Sequence, residues 1–478
     1  MTDAETIKLL TEQNEFQKKI IESLNENIAS LTAEIAELKE KLNKNSSNSS
    51  KPPSSDGYSK PKPKSLRKKS GRKPGGQFGH KGSSLSAGLK ADKTEIHYHP
   101  ECLCCPHFEV CKGTVCFPRE TRTVVDFRIV REVTNHVSMR MNACPLHGGM
   151  RSGEFPQGVD SRIQYGNETR TCCTFLSSQG LAARKTASFI ASITGFKMSE
   201  GTVINMLESC ANKVSGVVDK IKEALIASPV NHYDETGVRV AGGLGWAHSA
   251  SNGKYTYLTL GEKRGEEGIK GNGVIALQNG VAVHDCWAPY WKFTNITHAL
   301  CCAHLLRELL GIIENYPEQE WAKKMQEGLL ALYKLVCGYR DKGIPVPREL
   351  LLEHEKNYDG IIALARSENP PPPQVEKKRG RKKKGKVLCL IERLEKHKDS
   401  VLLFARNPSV PFTNNIAEQS VRNLKVKVKV AGCFRSKDGA KWYLKIRSYI
   451  DSARKHGIDA YEAVRLAFAG TPQLCFGW

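Results

Sequence analysis

A heptad repeat of apolar residues runs from residue 7 to residue 42 and limits what this segment can form. Its a and d positions alternate three and four residues apart: Ile7, Leu10, Asn14, Gln17, Ile21, Leu24, Ile28, Leu31, Ile35, Leu38 and Leu42. Branched residues at a with Leu at d favour a parallel two-stranded coiled coil, and an Asn at one a position restricts the oligomeric state. We therefore predict a coiled-coil dimerisation arm over residues 1–45. One amphipathic helix packed on its own chain is the alternative.

Positive charge is concentrated in two segments of the chain. The 478 residues carry a net charge of +22, from 72 Lys and Arg against 50 Asp and Glu. Residues 51–90 contribute +10 of this charge, and residues 375–387 contribute +7. Basic segments of this kind bind polyanions such as DNA, because neutralised phosphates release their counterions. A solvated linker is the alternative.

Several classes of protein are excluded by the sequence. It contains no run of about 18 apolar residues, which a membrane-spanning helix would need. Residues 1–10 are acidic where a signal peptide would be basic, so secretion is not expected. No G-x-x-x-x-G-K-[ST] motif supports a P-loop ATPase. The 16 cysteines, without a secretory signal, indicate a reducing compartment in which thiols and metal ligands are commoner than disulfides.

Residues 46–94 are rich in Ser, Pro, Gly and Lys and contain few large apolar residues. This composition predicts a segment that is disordered on its own. Within it, the string GRKPGG at residues 71–76 resembles a short basic element that lies in the minor groove of A·T-rich DNA, where a narrow groove attracts Arg and Lys. Arg72 and Lys73 are therefore candidate DNA-binding residues, with an ordinary flexible linker as the alternative.

A small module rich in Cys and His occupies residues 95–157. Two pairs of ligands, each separated by two residues, fit a tetrahedral structural Zn²⁺: Cys102, Cys105, Cys144 and His147. A compact site is the alternative, and it would use four cysteines: Cys102, Cys105, Cys111 and Cys116. Residues 121–141 alternate in part and contain many β-branched residues, which predicts strands between the two zinc-binding pairs.

Residues 158–228 are predicted to be helical. One helix is expected from Arg184 to Thr194, ending at Gly195, and a second from Glu200 to about Lys213 with Ser199 as its N-cap. Two helices joined by a short turn resemble a helix-turn-helix, whose second helix enters the major groove. Plain helical packing is the alternative.

From residue 230 the pattern changes to strands, and two acidic residues follow this pattern. Strands are predicted at 230–240, 244–251, 254–260 and 280–285, with a turn at Asn252-Gly253, and a helix is predicted from 298 to 314. Asp234 lies within the first strand and Asp285 ends the fourth. Glu418 lies where a further helix opens. Three carboxylates from separate elements suit Mg²⁺, and two such ions about 4 Å apart assist phosphodiester chemistry.

The residues around these acids resemble a known family. The strings HYDETGVRV, VHDCWAPYW, LCCAHLLREL, TNNIAEQSVRNLK and AGCFRSKDGAKWY occur in this order. Together with the heptad arm, the linker that ends in GRKPGGQFGHKG and the zinc-finger-like region, they resemble the insertion sequence 66 family of bacterial transposases. The resemblance covers nearly the whole chain, and the strings around the acids are its most specific part.

The resemblance implies an RNase H-like core over residues 229–316 and 408–460, with residues 461–478 as its C-terminal tail. It implies a catalytic acidic triad of Asp234, Asp285 and Glu418, which would bind two Mg²⁺ or Mn²⁺ ions. Glu235 adjoins the first acid, but neighbouring strand residues point to opposite faces, so a structural role is expected for it.

The pair Cys301-x-x-His304 matches a motif that the family carries after its second acid. Two residues on one helix supply only two metal ligands, so we favour structural packing over a metal site. This chain departs from the family at the second zinc pair, where Cys144-x-x-His147 replaces the more usual Cys-x-x-Cys.

An insertion is predicted at residues 317–407, helical over 317–365 and a basic loop over 367–386. Arg379 and Arg381 in this loop resemble a second minor-groove element. Basic residues that follow the third acid are further candidates for contacts to the DNA backbone: Arg422, Lys425, Lys427, Lys429 and Arg435.

The sequence therefore predicts a multidomain α+β protein: coiled coil, zinc-binding module, helical region, and an RNase H-like α/β core with a helical insertion. We expect a DNA transposase that cuts and joins the ends of its own element in the bacterial cytoplasm, at the nucleoid. Its expected partners are DNA, a second copy of the chain and accessory proteins of the same element, with no membrane. The alternatives are a non-catalytic, zinc-containing dimeric DNA-binding protein and a nuclease with the same core.

Overall fold

The computed structural model describes residues 2–49, 90–114, 117–127, 129–142, 145–146, 148–370 and 385–477. Contacts divide the chain into two compact units, one of residues 1–63 with 160–478 and the other of residues 64–159. The basic string at 71–76 and the basic loop residues 371–384 lie outside the described residues, as do Cys116, Cys144 and His147. The predictions for Arg72, Lys73, Arg379 and Arg381 therefore stay predictions.

The heptad segment forms one long helix, α1 (Asp3–Asn43). At 1.5 Å per residue, its 41 residues span roughly 60 Å. The apolar a and d residues are exposed along its length, from Ile7 at 65% to Leu38 at 57%. The helix is thus confirmed, and its apolar stripe does not pack on the chain's own described residues.

The described residues of the unit 64–159 form two short helices, α2 (Pro100–Leu103) and α3 (Phe108–Thr114), and a two-stranded antiparallel sheet of β1 (Arg140–Met141) and β2 (Arg151–Ser152). The strands predicted over 121–141 are wrong for most of that segment, because Arg140 and Met141 are the only residues of its described part that pair. Val124 and Phe127 are 88% and 82% exposed. A β-type composition without a partner strand or a surface to cover does not produce a sheet.

Four helices precede the main sheet: α4 (Asn167–Ser178), α5 (Ala183–Thr194), α6 (Glu200–Lys213) and α7 (Ser215–Ile226). The predicted break between α5 and α6 is confirmed. Gly195 ends α5 at φ 75°, a left-handed conformation that favours glycine. The Ser199 hydroxyl accepts a 3.0 Å hydrogen bond from the Thr202 N–H and so caps α6.

A five-stranded mixed sheet follows, built from β3 (Val230–Val240), β4 (Gly243–Ser251), β5 (Thr256–Gly261), β6 (Val281–His284) and β7 (Thr297–Leu300). Its order is β5-β4-β3-β6-β7. Strands β3, β4 and β5 pair antiparallel, whereas β6 and β7 run parallel to β3. A short helix, α8 (Glu266–Asn272), and a 3₁₀ turn (Ala288–Lys292) lie in the connections. Four of the predicted strands are thereby confirmed.

The helix predicted from residue 298 begins later than expected. Residues 298–300 belong to β7, where His298 pairs with Ala282 and Leu300 with His284. The helix itself, α9, covers Cys302–Asn315. The apolar periodicity of α9 extends back into β7, but the pairing of β7 with β6 decides the structure of residues 298–300.

The predicted insertion is helical in its described part: α10 (Glu320–Asp341), α11 (Arg348–Glu368), α12 (Lys386–Lys396) and α13 (Lys398–Arg406). The chain then forms α14 (Asn415–Ala431), α15 (Lys437–Lys455), α16 (Ala460–Phe468) and a 3₁₀ turn (Pro472–Phe476). No helix among the described residues has the length and apolarity needed to cross a bilayer.

Helices cover both faces of the sheet. Val281 and Val283 of β6 belong to a core that also holds α9 and the insertion helices. Ala282, which points to the other face, belongs to a core formed with α7, α15 and α16. Because both faces of the central strands are buried, polar groups of these strands can meet solvent or a ligand only near the ends of the strands.

The turn that follows α1 docks on α9. The Asn48 amide donates a 2.9 Å hydrogen bond to Glu314 Oε2, and both Asn48 and Ser49 are buried. A Cβ at Gly311 would overlap the carbonyl oxygen of Asn48, so the close approach of the two segments needs a glycine at this position.

Gly311→Ala should therefore release residues 44–49 from α9, although alanine is the better helix former. We expect faster tryptic cleavage at Lys44 and no gain in melting temperature. Gly338→Ala is the matched control, because Gly338 lies in α10 with open space around it. It should raise the free energy of unfolding by about 0.5–1 kcal/mol and leave cleavage at Lys44 unchanged. Equal effects of the two variants would contradict this docking.

Candidate active site

The three predicted acids come from three elements of the core. Asp234 is the fifth residue of β3, Asp285 directly follows β6, and Glu418 lies in the first turn of α14. Strand β6 runs parallel to β3, with Val283 beside His232. Asp234 and Asp285 each follow this pair by two residues, at the same end of the two parallel strands, and the charge of Asp285 acts on Asp234. The two aspartates are thus neighbours because adjacent parallel strands carry them.

The charges of the three acids act on one another. Burial raises the pKa of the half-buried Asp234 carboxyl well above its ordinary value, and the charges of Glu235, Asp285 and Glu418 raise it further. Burial, followed by the charge of Glu235, raises the pKa of Asp285 to about 6. A cluster of partly buried carboxylates is unfavourable unless protons or a cation compensate its charge.

Glu235 is held by a network of hydrogen bonds next to these acids. Its carboxylate accepts bonds of 2.9 and 2.7 Å from Arg264 and a 2.8 Å bond from the Tyr290 hydroxyl. The Arg264 guanidinium lies 4.1 Å from the Trp287 ring centroid, and the backbone N–H of Trp287 donates a 3.2 Å bond to Asp285 Oδ1. Glu235 therefore ties β3 to the segment that carries the second acid. Tyr290 and Trp287 lie in the quoted string VHDCWAPYW, whereas no motif indicated Arg264.

Asn414 joins the three elements of the site. Although it is the N-cap residue of α14, its side chain makes no cap and reaches β3 instead. Its amide donates a 2.7 Å bond to the Tyr233 carbonyl, and its Oδ1 lies 2.9 Å from His232 Nδ1. Burial lowers the pKa of His232 to about 4, so the neutral ring donates through Nδ1.

The backbone of Asn414 completes this joint. Its N–H donates a 3.1 Å hydrogen bond to Cys301 Sγ, and its carbonyl accepts a 3.2 Å bond from the Glu418 N–H. The residue thus links β3, the start of α9 and the first turn of α14. The string TNNIAEQSVRNLK contained Asn414, but the sequence assigned it no role.

The structure adds Glu418 to the pair Cys301 and His304. The ligand atoms of these three residues lie within 4.8 Å of one another, and they form the one such group among the described Cys, His, Asp and Glu residues. Asp234, Asp285 and Glu418 interact electrostatically but are not grouped as closely. The sequence could not show that Glu418 lies near Cys301 and His304, because Glu418 is more than a hundred residues further along the chain.

The zinc module is described only in part. Cys102, Cys104 and Cys105 are exposed and Cys111 is half-buried. The described cysteines of this module do not bring three ligand atoms within 4.8 Å of one another. The long-range pairing and the compact pairing of zinc ligands both stay predictions, because Cys144, His147 and Cys116 lie outside the described residues.

Most of the basic residues predicted on and after α14 face solvent. Arg422, Lys429 and Arg435 are exposed and Lys425 is half-buried. At about 100° per residue, Arg422, Lys425 and Lys429 lie within about 40° of Glu418 around the helix. Arg435 follows the helix, and its guanidinium lies 3.4 Å from the Glu200 carboxylate.

Lys427 differs from these residues, because it lies on the opposite face of α14. Its ammonium donates a 2.9 Å hydrogen bond to the Leu181 carbonyl, and burial lowers its pKa to about 8. In this arrangement it packs α14 against the loop between α4 and α5 and does not face solvent with its neighbours.

The sequence is similar to known protein families. Residues 176–442 match the model of the IS66 family of transposases, which is more than half of the chain. The chain belongs to the IS66 family of transposases. The match contains Asp234, Asp285, Glu418 and the basic face of α14, and it begins after the Cys/His-rich module. Residues 5–86 of this transposase match a family of unknown function, DUF6444. No curated protein matches the chain.

The raised pKa of Asp285 predicts a dependence of stability on pH in the metal-free protein. A carboxyl with a pKa near 6 when folded and an ordinary value of 3.8 binds its proton more tightly in the native state. Its stabilising contribution is therefore present below about pH 4 and is lost as the pH rises to about 6. Asp285→Asn should raise the free energy of unfolding by about 1–3 kcal/mol at pH 7.5, with little change near pH 4.

Thermal denaturation at both pH values in EDTA measures this difference. The control is Asp438→Asn, which changes an exposed carboxylate near the surface cation Lys441. It should show no gain at pH 7.5. A loss of stability in Asp285→Asn at pH 7.5 would show that the Asp285 charge is compensated within the folded chain.

Proposed function

We propose that this transposase cuts and joins the ends of its own insertion sequence through an RNase H-like core. The observation that supports this most directly is the convergence of Asp234, Asp285 and Glu418 from β3, the end of β6 and the first turn of α14. The sheet order β5-β4-β3-β6-β7, antiparallel over three strands and then parallel over two, supports the same core.

The donor set fits Mg²⁺ or Mn²⁺. Three carboxylates offer the hard oxygen ligands that these ions prefer. The pKa values of Asp234 and Asp285 are raised because their negative charge is unfavourable at this position, and a bound cation would compensate that charge. Asp234, Asp285 and Glu418 would hold two ions. When bound, such ions supply an activated attacking oxygen and stabilise the leaving oxygen in phosphodiester cleavage.

The residues around the acids have separate parts in this proposal. Glu235, held by Arg264 and Tyr290, positions β3 against the loop of Asp285. Asn414 orients the first turn of α14, and so Glu418, toward the sheet edge. The same site would then carry out two steps. Water would hydrolyse the phosphodiester at each end of the element, and the freed 3′ hydroxyl would then attack a phosphodiester of target DNA, with no covalent intermediate on the protein.

The basic face of α14 provides a path for DNA that leads to the acids. Arg422, Lys425 and Lys429 share the helix face of Glu418, so a backbone bound along them would place phosphates beside the third acid. Arg435, which is exposed after the end of the helix, would add a further contact to the backbone. The basic segments at 51–90 and 375–387, with Arg72, Lys73, Arg379 and Arg381, would add contacts that weaken as salt is raised.

We also propose that α1 pairs with a second copy and that the Cys/His-rich module binds a structural Zn²⁺ through Cys102, Cys105, Cys144 and His147. The exposed apolar stripe of α1 supports pairing, because its 41-residue helix would otherwise leave that stripe in water. A dimer would bring two element ends together.

The catalytic proposal predicts loss of cleavage on substitution of the third acid. With a labelled duplex that carries the element's terminal repeat, in Mg²⁺, Glu418→Gln should reduce strand cleavage at least about 100-fold and retain DNA binding. Asp438→Asn, the same change of carboxylate to amide in the first turn of α15, should cleave at the wild-type rate.

The outcome also separates the alternative functions. Equal cleavage by wild type and Glu418→Gln would contradict the assignment of the triad. Cleavage without joining of the products to target DNA would indicate a nuclease with the same core. Binding without cleavage by either protein, also with the element's neighbouring gene products added, would favour a non-catalytic DNA-binding protein.

The pairing of α1 predicts a change in oligomeric state. Leu24→Asp combined with Leu31→Asp puts two charges into the d positions and should convert a dimer into a monomer. Lys19→Asp, at an f position on the outer face, should leave the dimer intact. Light scattering after size-exclusion chromatography measures both. A wild-type monomer at micromolar concentration would contradict the proposal.

A further inference from the structure

We propose that Cys301, His304 and Glu418 form a binding site for a transition-metal cation of the Zn²⁺ class, beside the acidic cluster. The inference rests on the positions of these three side chains. It touches the proposed function only because Glu418 belongs to both.

Two rigid elements bring the three ligands together. Cys301 is the residue before α9, and His304 follows one turn later on the same side of that helix. Glu418 projects from the first turn of α14, which Asn414 ties to Cys301 through the 3.1 Å N–H···S hydrogen bond. The site is therefore built on helices, and its ligands are supported by a hydrogen bond from outside the set.

Two buried atoms in this group lack hydrogen-bond partners. Cys301 is 1% exposed, and the His304 and Glu418 side chains are 18% and 25% exposed. His304 Nδ1 and Glu418 Oε1 are both out of contact with solvent, and neither makes a hydrogen bond. They face each other at 3.7 Å. A buried polar atom without a hydrogen bond is unfavourable, and a shared ligand would satisfy both atoms.

The spacing of two of the three ligands matches a small tetrahedral ion. Ligands about 2.0–2.3 Å from a tetrahedral Zn²⁺ lie roughly 3.3–3.8 Å from one another. The 3.7 Å between His304 Nδ1 and Glu418 Oε1 falls in this range. Three protein ligands would leave the fourth position open to water.

The donor chemistry selects the class of metal. A thiolate, an imidazole and a carboxylate suit Zn²⁺ or Co²⁺, whereas Mg²⁺ avoids sulfur. Burial lowers the pKa of His304 to about 4, so its ring is neutral and has a free lone pair at neutral pH. Burial raises the pKa of the Cys301 thiol to about 11, so metal binding would release that proton.

Arg307 is the competing cation at this position. Its guanidinium also lies 3.7 Å from Glu418 Oε1, and its side chain is 25% exposed. A bound metal ion would take over the charge compensation of Glu418, and Arg307 would turn toward solvent. The ion would hold Oε1 and leave Oε2 for the cluster of Asp234 and Asp285, so its role toward the acids would be to position Glu418.

Cobalt binding to the full chain tests the site without reference to DNA cleavage. Cys102→Ser with Cys105→Ser serves as the background, so that the Cys/His-rich module does not contribute. In this background, Co²⁺ should give a thiolate-to-cobalt charge-transfer band at one equivalent, and Zn²⁺ should displace it.

Two neighbouring cysteines provide the comparison. Cys301→Ser should abolish the band, whereas Cys302→Ser should keep it, because Cys302 Sγ points to the carbonyls of Leu300 and Val401. If Cys301→Ser does not fold, His304→Gln provides the test and should weaken Co²⁺ binding at least tenfold. No band in the background protein, or an equal band in Cys301→Ser, would overturn the site.

One further variant separates this proposal from the proposed function. Asp234→Asn should lose cleavage and keep the cobalt band. Cleavage in a protein without the band would overturn only the Cys301–His304–Glu418 site. A band in a protein that never cleaves would leave that site standing and overturn the transposase chemistry.

Discussion

Asn414 is buried where β3, the start of α9 and α14 meet, and the positions of the acids depend on the hydrogen bonds that it makes. Its side chain hydrogen-bonds to His232 and to the Tyr233 carbonyl, next to Asp234, and does not cap its own helix. Its backbone reaches Cys301 and Glu418. Each of these bonds is modest, but breaking any one leaves a buried polar group unpaired. One amide thereby couples the strand of the first acid to the helix of the third.

Repulsion among the carboxylates of the site is unfavourable for folding. The charges of Glu235, Asp234 and Asp285 act on one another, and of these three acids Glu235 is the one with a direct ion pair, to Arg264, together with a bond from Tyr290. The other two carboxyls keep raised pKa values. Replacing these two carboxyls by neutral side chains would be expected to make the metal-free protein more stable. Concentrated negative charge beside a basic helix face supports the proposed site for metal ions and DNA.

Local structure could be predicted where short-range rules decide it. The heptad predicted α1, Gly195 and Ser199 predicted the break between α5 and α6, and β-type runs predicted β3 to β6. The prediction failed where tertiary pairing decides: residues 121–141 lack a partner strand, and residues 298–300 join β6 despite a helical pattern. The acids themselves were located through family strings, whereas the contact of Glu418 with Cys301 and His304, the joint at Asn414 and the inward turn of Lys427 depend on long-range packing.

In the proposed mechanism, Asp234, Asp285 and Glu418 together bind the divalent cations of catalysis. Titration of the DNA-free protein with Mn²⁺, followed by electron paramagnetic resonance of the free ion and by competition with Mg²⁺, tests it most directly. We predict Mg²⁺-competed Mn²⁺ binding that weakens at least about tenfold in both Asp234→Asn and Glu418→Gln and is unchanged in Asp438→Asn. Equal affinities in the wild type and both acid variants would contradict the claim.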